Sequence, residues 1–394
     1  MDALTAFGTL ILGDAALQAQ LGAVDSPDAF VAEVLALAAA RDIALQADIV
    51  RAMIRPDPLG VGRWMPSPVT LARWPLPGWL PARSVPTGAA PGFDWAWFGA
   101  NRLDAPFFEE PVRRCATRPF SLMFRTRTSL QALIDGAGHE AAGPEPSGFI
   151  HHMSRCGSTL VAQMLAADPS HVVLSEPEPL DGVLRWAVES DAPIALQVAA
   201  VRAMVAALGR GRTESASRLF VKLDSWHTAA LPLLRAAFPE TPWIFLYRDP
   251  VEVLVSQLRQ RGPHTVAGAL PRDVVGIADG DTMDAETYVA RIVARFSRAV
   301  LDHWDTGGGM LVDYAELPGA AIERIAPHFG LVLGERERAA MAAVARHDAK
   351  ARDQHFVSDT ARKQRAASPA IRSAAETIVT PIYDQLKVLR APSR

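Results

Sequence analysis

The spacing of apolar residues changes twice along the chain, near residue 55 and near residue 148. Before residue 55, apolar side chains recur at about helical spacing, and Ser26-Pro27-Asp28 is a typical helix start. These apolar positions are Leu10, Leu17, Leu21, Phe30, Val34, Leu37 and Ala38. The pattern predicts that residues 1–55 form a small helical N-terminal domain, acting as a cap or a dimerisation element.

Residues 56–147 are rich in proline and tryptophan. The prolines are Pro56, Pro58, Pro66, Pro68, Pro75, Pro77, Pro81, Pro86 and Pro91, and the tryptophans are Trp64, Trp74, Trp79, Trp95 and Trp97. Proline at this density excludes long helices and central strands, while clustered tryptophans argue against a disordered linker. We predict an irregular arm that packs on the rest of the protein. Alternatively, the tryptophan faces form a wall that binds an aromatic or sugar ligand.

From Gly148 onward, apolar runs of strand length alternate with amphipathic stretches. The runs are GFIHHMS, VVLS, RLFVKLD, PWIFLYRD and GMLVDYAEL. This alternation predicts that residues 148–394 form an α/β domain with a parallel sheet flanked by helices. In such sheets, ligands bind at the carboxyl ends of the strands.

Composition narrows the possible classes of function. The 394 residues include 40 basic and 43 acidic side chains, for a net charge of −3, which excludes a generally basic nucleic-acid-binding protein. Two cysteines, Cys115 and Cys156, are too few for a disulfide scaffold or a multi-cysteine zinc site. The sequence has neither a signal-peptide pattern nor an uncharged apolar stretch of about 20 residues. We therefore expect a cytoplasmic protein without a membrane span.

A glycine-containing loop after the first of these runs is the best candidate for an anion site. Phe149–Leu160 reads as a strand, a short loop with Gly157, and a helix begun by Ser158. Glycine permits a tight turn, a helix N-terminus offers free N–H groups, and Arg155 adds a cation, so the loop suits a phosphate-like group. Cys156-Gly157 stands where a nucleoside-triphosphate loop requires Gly-Lys, which disfavours a triphosphate.

A second candidate anion site follows a later strand. Arg248 ends the run PWIFLYRD, Pro250 begins the next helix, and Ser256 lies on that helix. A guanidinium together with a hydroxyl fits a phosphate dianion well.

Together these motifs resemble the sulfotransferases that use 3′-phosphoadenosine-5′-phosphosulfate as donor. That family has a Pro-(Lys/Arg)-Ser-Gly-Thr-Thr loop after its first strand, a later Arg…Ser pair, and a final strand that reads like Val312–Leu317. The resemblance spans roughly residues 148–366. Arg155 takes the basic position of the loop, as in the branch that sulfates protein tyrosines. The departures are Ser154 for proline, Cys156 for serine and Ser158 for the first threonine.

The resemblance implies which residues hold the donor. The 3′-phosphate would be held by Arg248 and Ser256. The 5′-phosphosulfate would be held by Arg155, Cys156, Gly157, Ser158, Thr159 and Leu160. Arg362 and Lys363, in a basic run within a loop of small and polar residues, would close over the donor; alternatively, they are solvated charges.

The reaction also needs a base to accept the proton of the acceptor hydroxyl. Glu176, at the carboxyl end of the run VVLS, matches the place of the base in the protein-tyrosine branch. Glu178 and His227 are the alternatives. Lys222 resembles a lysine of the same branch and, with Arg155, would stabilise the leaving phosphate oxygen.

The histidines give no sign of a metal site. His151 and His152 are neighbours on a strand, so they point to opposite faces and cannot both face a ligand. The sequence shows no metal-ligand spacing such as H-x-x-x-H or C-x-x-C, so we expect no metal.

The sequence thus favours an enzyme that sulfates a hydroxyl of a small molecule or peptide. The alternatives are an ATP-dependent kinase built on the same loop and a non-catalytic nucleotide-binding scaffold. The N-terminal pattern resembles the helical leader domain of some ribosomal-peptide precursors, which is compatible with a peptide acceptor, while the tryptophans equally allow a small aromatic, sugar or lipid alcohol. That pattern consists of Phe7, Asp14, Leu17, Leu21, Phe30, Ala38 and Ala39. The sequence does not indicate an oligomeric state.

Overall fold

A computed structural model describes residues 2–56, 67–138, 143–210, 217–270, 276–277 and 280–391. Trp64, Pro58 and Pro66 lie outside these ranges. The N-terminal segment forms four helices, in agreement with its apolar spacing. They are α1 (Ala3–Leu12), α2 (Ala15–Gly22), α3 (Pro27–Ala39) and α4 (Ala47–Met53).

The proline-rich segment forms a second, smaller sheet with helices beside it. Its strands are β1 (Val69–Leu71), β2 (Trp79–Pro86), β3 (Pro91–Trp97) and β4 (Thr126–Ser129), in the order β1-β4-β3-β2. Its helices are α5 (Glu109–Ala116), α6 (Pro119–Met123) and α7 (Leu130–Gly136).

The prediction of an irregular arm over residues 56–147 is therefore wrong. The prolines within the strands of this sheet lie on the edge strand β2 or at the first residue of β3, positions at which a sheet tolerates proline. Pro86 and Pro91 pair with each other at the open turn between β2 and β3. Pro81 lies on the edge strand β2, at a shift in the pairing register.

The larger sheet has the predicted parallel architecture. Its strands are β5 (Pro146–His152), β6 (His171–Ser175), β7 (Arg218–Lys222), β8 (Trp243–Tyr247) and β9 (Gly309–Asp313). The order is β6-β7-β5-β8-β9, and every pairing is parallel. Because the chain extends first to one side of β5 and then to the other, the carboxyl end of β5 is a topological switch point.

Helices cover this sheet and continue to the C-terminus. They are α8 (Ser158–Leu165), α9 (Glu178–Glu189), α10 (Ile194–Leu208), α11 (Leu231–Ala237), α12 (Pro250–Arg259), α13 (Ala285–Asp302), α14 (Ala326–His328), α15 (Glu335–Val344), α16 (Thr360–Ala366), α17 (Pro369–Ala374) and α18 (Thr380–Arg390). Short 3₁₀ segments are Ser225–Ala230, Pro263–Thr265, Gly280–Thr282, Trp304–Thr306 and Tyr314–Glu316, and π-helical segments are Ala321–Ile325 and Ala375–Val379.

The basic run that contains Arg362 and Lys363 lies in helix α16, so its prediction as a loop is wrong. Arginine, lysine, glutamine and alanine, which make up most of this segment, are all strong helix formers. Lys363 is buried and Arg362 is exposed.

The three segments share one continuous apolar core. A single cluster of buried residues extends from Phe7 in α1 to Leu386 in α18. Trp79 is fully buried between the N-terminal helices and the second sheet, and its indole N–H donates to Gln18 Oε1 at 3.0 Å. In the part of the chain that the structure describes, no helix is both long and apolar enough to cross a membrane.

Candidate active site

A cavity of about 1070 Å³ lies at the carboxyl end of the parallel sheet. Each strand of that sheet sends the chain into the cavity wall. The residues concerned are Arg155 after β5, Glu176 after β6, Asp224 after β7, Arg248 after β8 and Tyr314 after β9. The cavity therefore lies where ligands bind in parallel sheets, and its walls come from distant parts of the sequence.

Most of the residues singled out from the sequence meet in this cavity. They are Arg155, Cys156, Gly157, Ser158, Thr159, Leu160, Glu176, Glu178, Arg248, Ser256, Arg362 and Lys363. Lys222 and His227 lie behind the wall, where both are buried.

The loop after β5 has an unusual backbone. Ser154, Arg155 and Gly157 all have left-handed φ angles, of 74°, 54° and 87°. Glycine is required at 157 for a second reason, since a Cβ there would lie 2.7 Å from Leu317 Cδ1. Gly157 is left-handed and directly precedes the right-handed residues of α8. Such an alternation turns successive backbone N–H groups to one side, as in anion-binding turns.

Cys156 contributes its backbone to the loop, not its side chain. Its thiol donates to the carbonyl oxygen of Leu246 at 3.1 Å and is fully buried. Burial raises the pKa of the thiol to about 12, so it stays protonated.

Glu176 is held at the end of β6 by two neighbours, Lys222 and His152. Its φ angle is 54°, and its backbone N–H donates to the carbonyl oxygen of Lys222 at 2.8 Å. Its carboxylate accepts from Lys222 Nζ and lies 3.5 Å from His152 Nε2. Burial alone would raise the pKa of Glu176, but Lys222 and His152 outweigh it and hold the pKa well below its usual range.

The side chain of Glu176 is 24% exposed, whereas that of Lys222 is fully buried. The carboxylate can therefore reach a molecule in the cavity, while the ammonium acts from behind it. His152 is fixed by its contact with the carbonyl oxygen of Leu223 at 2.8 Å. Burial lowers the pKa of His152, so the ring is neutral near pH 7.

Glu178, the first alternative base, is engaged with the second sheet. Its carboxylate accepts the backbone N–H of Ser84 at 2.7 Å and the Ser84 hydroxyl at 2.5 Å. Burial raises its pKa, and the two bonds from Ser84 partly offset this. The residue joins strand β2 to the N-terminus of α9.

His227, the second alternative base, has both ring nitrogens occupied. Nδ1 accepts the backbone N–H of Asp224 at 3.2 Å, and Nε2 donates to Asp181 Oδ1 at 2.8 Å. The indole N–H of Trp226 donates to the same Asp181 oxygen at 2.6 Å. These bonds make His227 part of the scaffold of the cavity.

Asp181, Asp224 and His227 are also the one group of potential metal ligands among the described residues. Their hydrogen bonds to one another and to Trp226 account for their proximity. Burial, followed by the nearby Glu176 and Asp181, raises the pKa of Asp224 well above its ordinary value. The absence of a metal stays our prediction.

Arg248 has two carboxylate partners and an aromatic one. Its Nε donates to Glu252 Oε2 at 2.7 Å, its Nη2 also contacts that oxygen, and Nη2 donates to Asp359 Oδ1 at 2.7 Å. The guanidinium lies 3.7 Å from the ring centroid of Tyr314. Ser256 is one helical turn beyond Glu252, on the wall of the same cavity.

Several cavity residues were missed by reasoning from the sequence, notably Tyr314, Lys350, Asp359 and Phe107. Tyr314 could have been found, because it follows the last strand of the parallel sheet. The other three lie in segments without a readable motif. Lys350 Nζ and Lys222 Nζ lie 5.5 and 5.1 Å from the centroid of the Phe107 ring.

Of the tryptophans proposed as a ligand wall, Trp64 lies outside the described residues, and the other four do not line this cavity. Trp74, Trp79, Trp95 and Trp97 are all at least 93% buried in the core. The segment reaches the cavity instead through Ala82, Arg83, Phe107, Phe108, Glu109 and Val112.

Residues 146–335 match the model of the sulfotransferase family. A sulfotransferase of Mycobacterium tuberculosis is 18% identical, covering 56% of this chain and 77% of its own, with a TM-score of 0.35. The sulfotransferase domain of the curacin biosynthetic pathway is 17% identical, covering 62% of this chain and 99% of its own, with a TM-score of 0.39. A sulfotransferase of Alicyclobacillus acidocaldarius is 13% identical, covering 64% of this chain and 97% of its own, with a TM-score of 0.38. No curated protein matches the chain.

Proposed function

We propose that this chain, whose residues 146–335 belong to the sulfotransferase family, transfers a sulfuryl group from 3′-phosphoadenosine-5′-phosphosulfate to an acceptor hydroxyl. The observation that carries the proposal is the convergence of an anion-binding loop, two further cation sites and a lysine-paired carboxylate on one cavity. A donor with two separate anionic groups and a reaction that moves one proton require such a set.

The donor is assigned to the cationic half of the cavity. The loop Arg155–Leu160 would hold the 5′-phosphosulfate, with Arg155 and the helix N-terminus of α8 facing its negative charge. Arg248 and Ser256 would hold the 3′-phosphate, and Lys363 with Arg362 would add positive charge from helix α16.

In the proposed step, the acceptor oxygen forms a bond to the donor sulfur. The bond from sulfur to the bridging phosphate oxygen breaks, and its electron pair stays on that oxygen. The acceptor proton goes to Glu176. The products are a sulfate ester and adenosine 3′,5′-bisphosphate. Arg155 and Lys222 stabilise the negative charge that develops on the bridging oxygen.

Glu176 suits the role of base better than its alternatives. Of the three candidate bases, it is the one that is both exposed to the cavity and paired with a lysine, while Glu178 is bound to Ser84 and His227 to Asp181. A low pKa does not disqualify it, because the acceptor proton becomes strongly acidic as the new oxygen–sulfur bond forms.

The acceptor would enter between the second sheet and the loop after α12. Phe107 and Trp226 offer aromatic faces there, and Glu109 and Asp224 offer carboxyl groups. This half of the cavity accommodates a small molecule or an extended peptide side chain, and we keep both as acceptors.

A phosphoryl-transfer function is disfavoured by the loop itself. Gly157 occupies the position of the lysine that contacts the β- and γ-phosphates in nucleoside-triphosphate loops, and Cys156 that of the glycine before it. A non-catalytic nucleotide-binding scaffold would use the same donor contacts, but it would not need the ion pair of Glu176 and Lys222.

The test is calorimetric titration of the whole protein with adenosine 3′,5′-bisphosphate in the presence of a chelator, and with ATP plus magnesium. We expect the bisphosphate to bind without metal and much more tightly than ATP. The reverse preference would mean that the loop serves phosphoryl transfer, and it would overturn the proposed donor.

A further inference from the structure

Asp359 lies among the cations that the proposed function assigns to the 3′-phosphate. Its Oδ1 accepts from Arg248 Nη2 at 2.7 Å, and its Oδ2 accepts from Lys363 Nζ at 2.9 Å. Arg362 Nη2 is 3.8 Å from Oδ2. One carboxylate is therefore surrounded by three positive charges, on a wall of the cavity.

These cations leave little surface for another anion. The side chain of Arg248 is 6% exposed and that of Lys363 is 10% exposed. Glu252 takes the remaining face of Arg248, and Tyr314 covers its plane. A phosphate that bonds both Arg248 Nη2 and Lys363 Nζ would take the place of the carboxylate of Asp359.

We infer that Asp359 is an internal substitute for the 3′-phosphate and competes with the donor for Arg248 and Lys363. The inference rests on the proposed function, because that function places the 3′-phosphate here. The charge balance favours an exchange of one anion for the other. If the carboxylate left without replacement, Arg248 and Lys363 would each lose a hydrogen bond to an anion. An incoming phosphate would restore these bonds.

The chain around Asp359 is suited to such an exchange. Asp359 is the N-cap residue of α16, but its side chain accepts no capping hydrogen bond from the backbone N–H groups of that helix. The preceding residues are exposed, with Phe356 at 45% and Val357 at 79%. The carboxylate can therefore leave its cations without opening the apolar core.

Asp359 accordingly sets the affinity for ligands that carry a 3′-phosphate. A ligand with this group must displace the carboxylate, which costs free energy, and it then forms hydrogen bonds to Arg248 and Lys363. A nucleotide without a 3′-phosphate leaves Asp359 in place and is indifferent to its charge.

The experiment is calorimetric titration of the whole protein with adenosine 3′,5′-bisphosphate and with adenosine 5′-monophosphate. The variants are Asp359→Asn, which removes the charge but keeps the shape, and Asp359→Glu, which keeps the charge. Asp353→Asn is the matched control, since it removes one exposed acidic charge from the same segment. Thermal unfolding of each variant confirms that it is folded.

We expect Asp359→Asn to bind the bisphosphate about tenfold more tightly, the scale of one charge-assisted hydrogen bond, with less than a twofold change for the monophosphate. Asp359→Glu and Asp353→Asn should stay near the wild type. Unchanged or weaker bisphosphate binding by a folded Asp359→Asn variant would overturn the inference and make Asp359 a positioning residue. Equal binding of both nucleotides by the wild type would instead overturn the proposed function.

Discussion

At the scale of single residues, backbone strain marks the candidate site. Four non-glycine residues among those described have left-handed φ angles, and three of them, Ser154, Arg155 and Glu176, border the cavity. Each costs about 1 kcal/mol or more, which the surrounding structure must offset. The sequence indicated these residues through their types and order. It could not reveal that Lys222 lies behind Glu176, because that contact joins two strands 46 residues apart.

Glu176→Gln removes the proposed base while keeping its shape. We expect turnover to fall by about 10²- to 10⁴-fold, because glutamine cannot accept the acceptor proton. Bisphosphate affinity should change little. The measurement is the initial rate of bisphosphate release with a confirmed acceptor. Glu178→Gln is the comparison, and a larger loss there than in Glu176→Gln would move the base to Glu178.

Lys350 should make donor-product binding depend on pH. Burial, together with Arg155 and Lys222, lowers the pKa of Lys350 to about 8. Its ammonium is therefore present below pH 8 and lost above it, so affinity for the bisphosphate should fall about fivefold between pH 7 and pH 9. Calorimetry at both pH values checks this. Lys350→Met should abolish the difference, and an unchanged pH dependence in that variant would contradict the assignment.

At the level of helices and strands, the sequence predicted the parallel sheet correctly but gave no indication of the second sheet. All five apolar runs after Gly148 became adjacent parallel strands, because buried strands need continuous apolar residues. The prediction for residues 56–147 was wrong because it rested on the number of prolines. That number does not show whether a proline lies on an edge strand, such as β2, or on a central strand. Helix α16 reaches the cavity by tertiary packing, which no local sequence motif indicates.

His151, on the central strand β5, should make the free energy of unfolding depend on pH. His151 is buried with no hydrogen-bond partner found for either ring nitrogen, and its ring packs edge-on against Trp243. Burial, with smaller effects from His227 and His152, lowers its pKa from 6.5 to about 3. Between these values the unfolded chain binds a proton that the folded chain does not, so the free energy of unfolding decreases as the pH falls below 6.5.

Between pH 6.5 and pH 5, protonation of His151 in the unfolded chain should lower the free energy of unfolding by about 2 kcal/mol. Urea unfolding of the wild type and of His151→Leu at the two pH values measures it. The variant should lose that much less stability than the wild type on acidification. Equal losses in the two proteins would show that His151 is not the group responsible.

At the scale of the whole molecule, the N-terminal helices and the second sheet are parts of one core. Phe7, Phe30 and Trp79 belong to the same buried cluster as the strands of the parallel sheet. The second sheet is also joined to the candidate site through Ser84 and Glu178. The sequence correctly indicated a helical start to the chain. It did not indicate this continuity, because the joining contacts are between residues far apart in sequence.

Removal of residues 1–55 should therefore destabilise the remainder of the chain. It would expose the fully buried Trp79 and remove Gln18, the partner of its indole N–H. We expect the truncated protein to aggregate or to lack a cooperative unfolding transition, measured by circular dichroism and light scattering. A truncated chain that unfolds cooperatively and binds the bisphosphate as well as the full chain does would show that this segment is a separate domain.

Mass spectrometry of the reaction products is the most direct test of the proposed sulfuryl transfer. The full-length protein is incubated with 3′-phosphoadenosine-5′-phosphosulfate and a panel of hydroxyl-bearing small molecules and peptides, without added metal. We expect one acceptor class to gain the mass of SO₃ while an equal amount of adenosine 3′,5′-bisphosphate is released, and we expect Glu176→Gln largely to abolish both. Phosphate transfer from ATP to these acceptors, with no sulfated product, would contradict the proposed sulfuryl transfer.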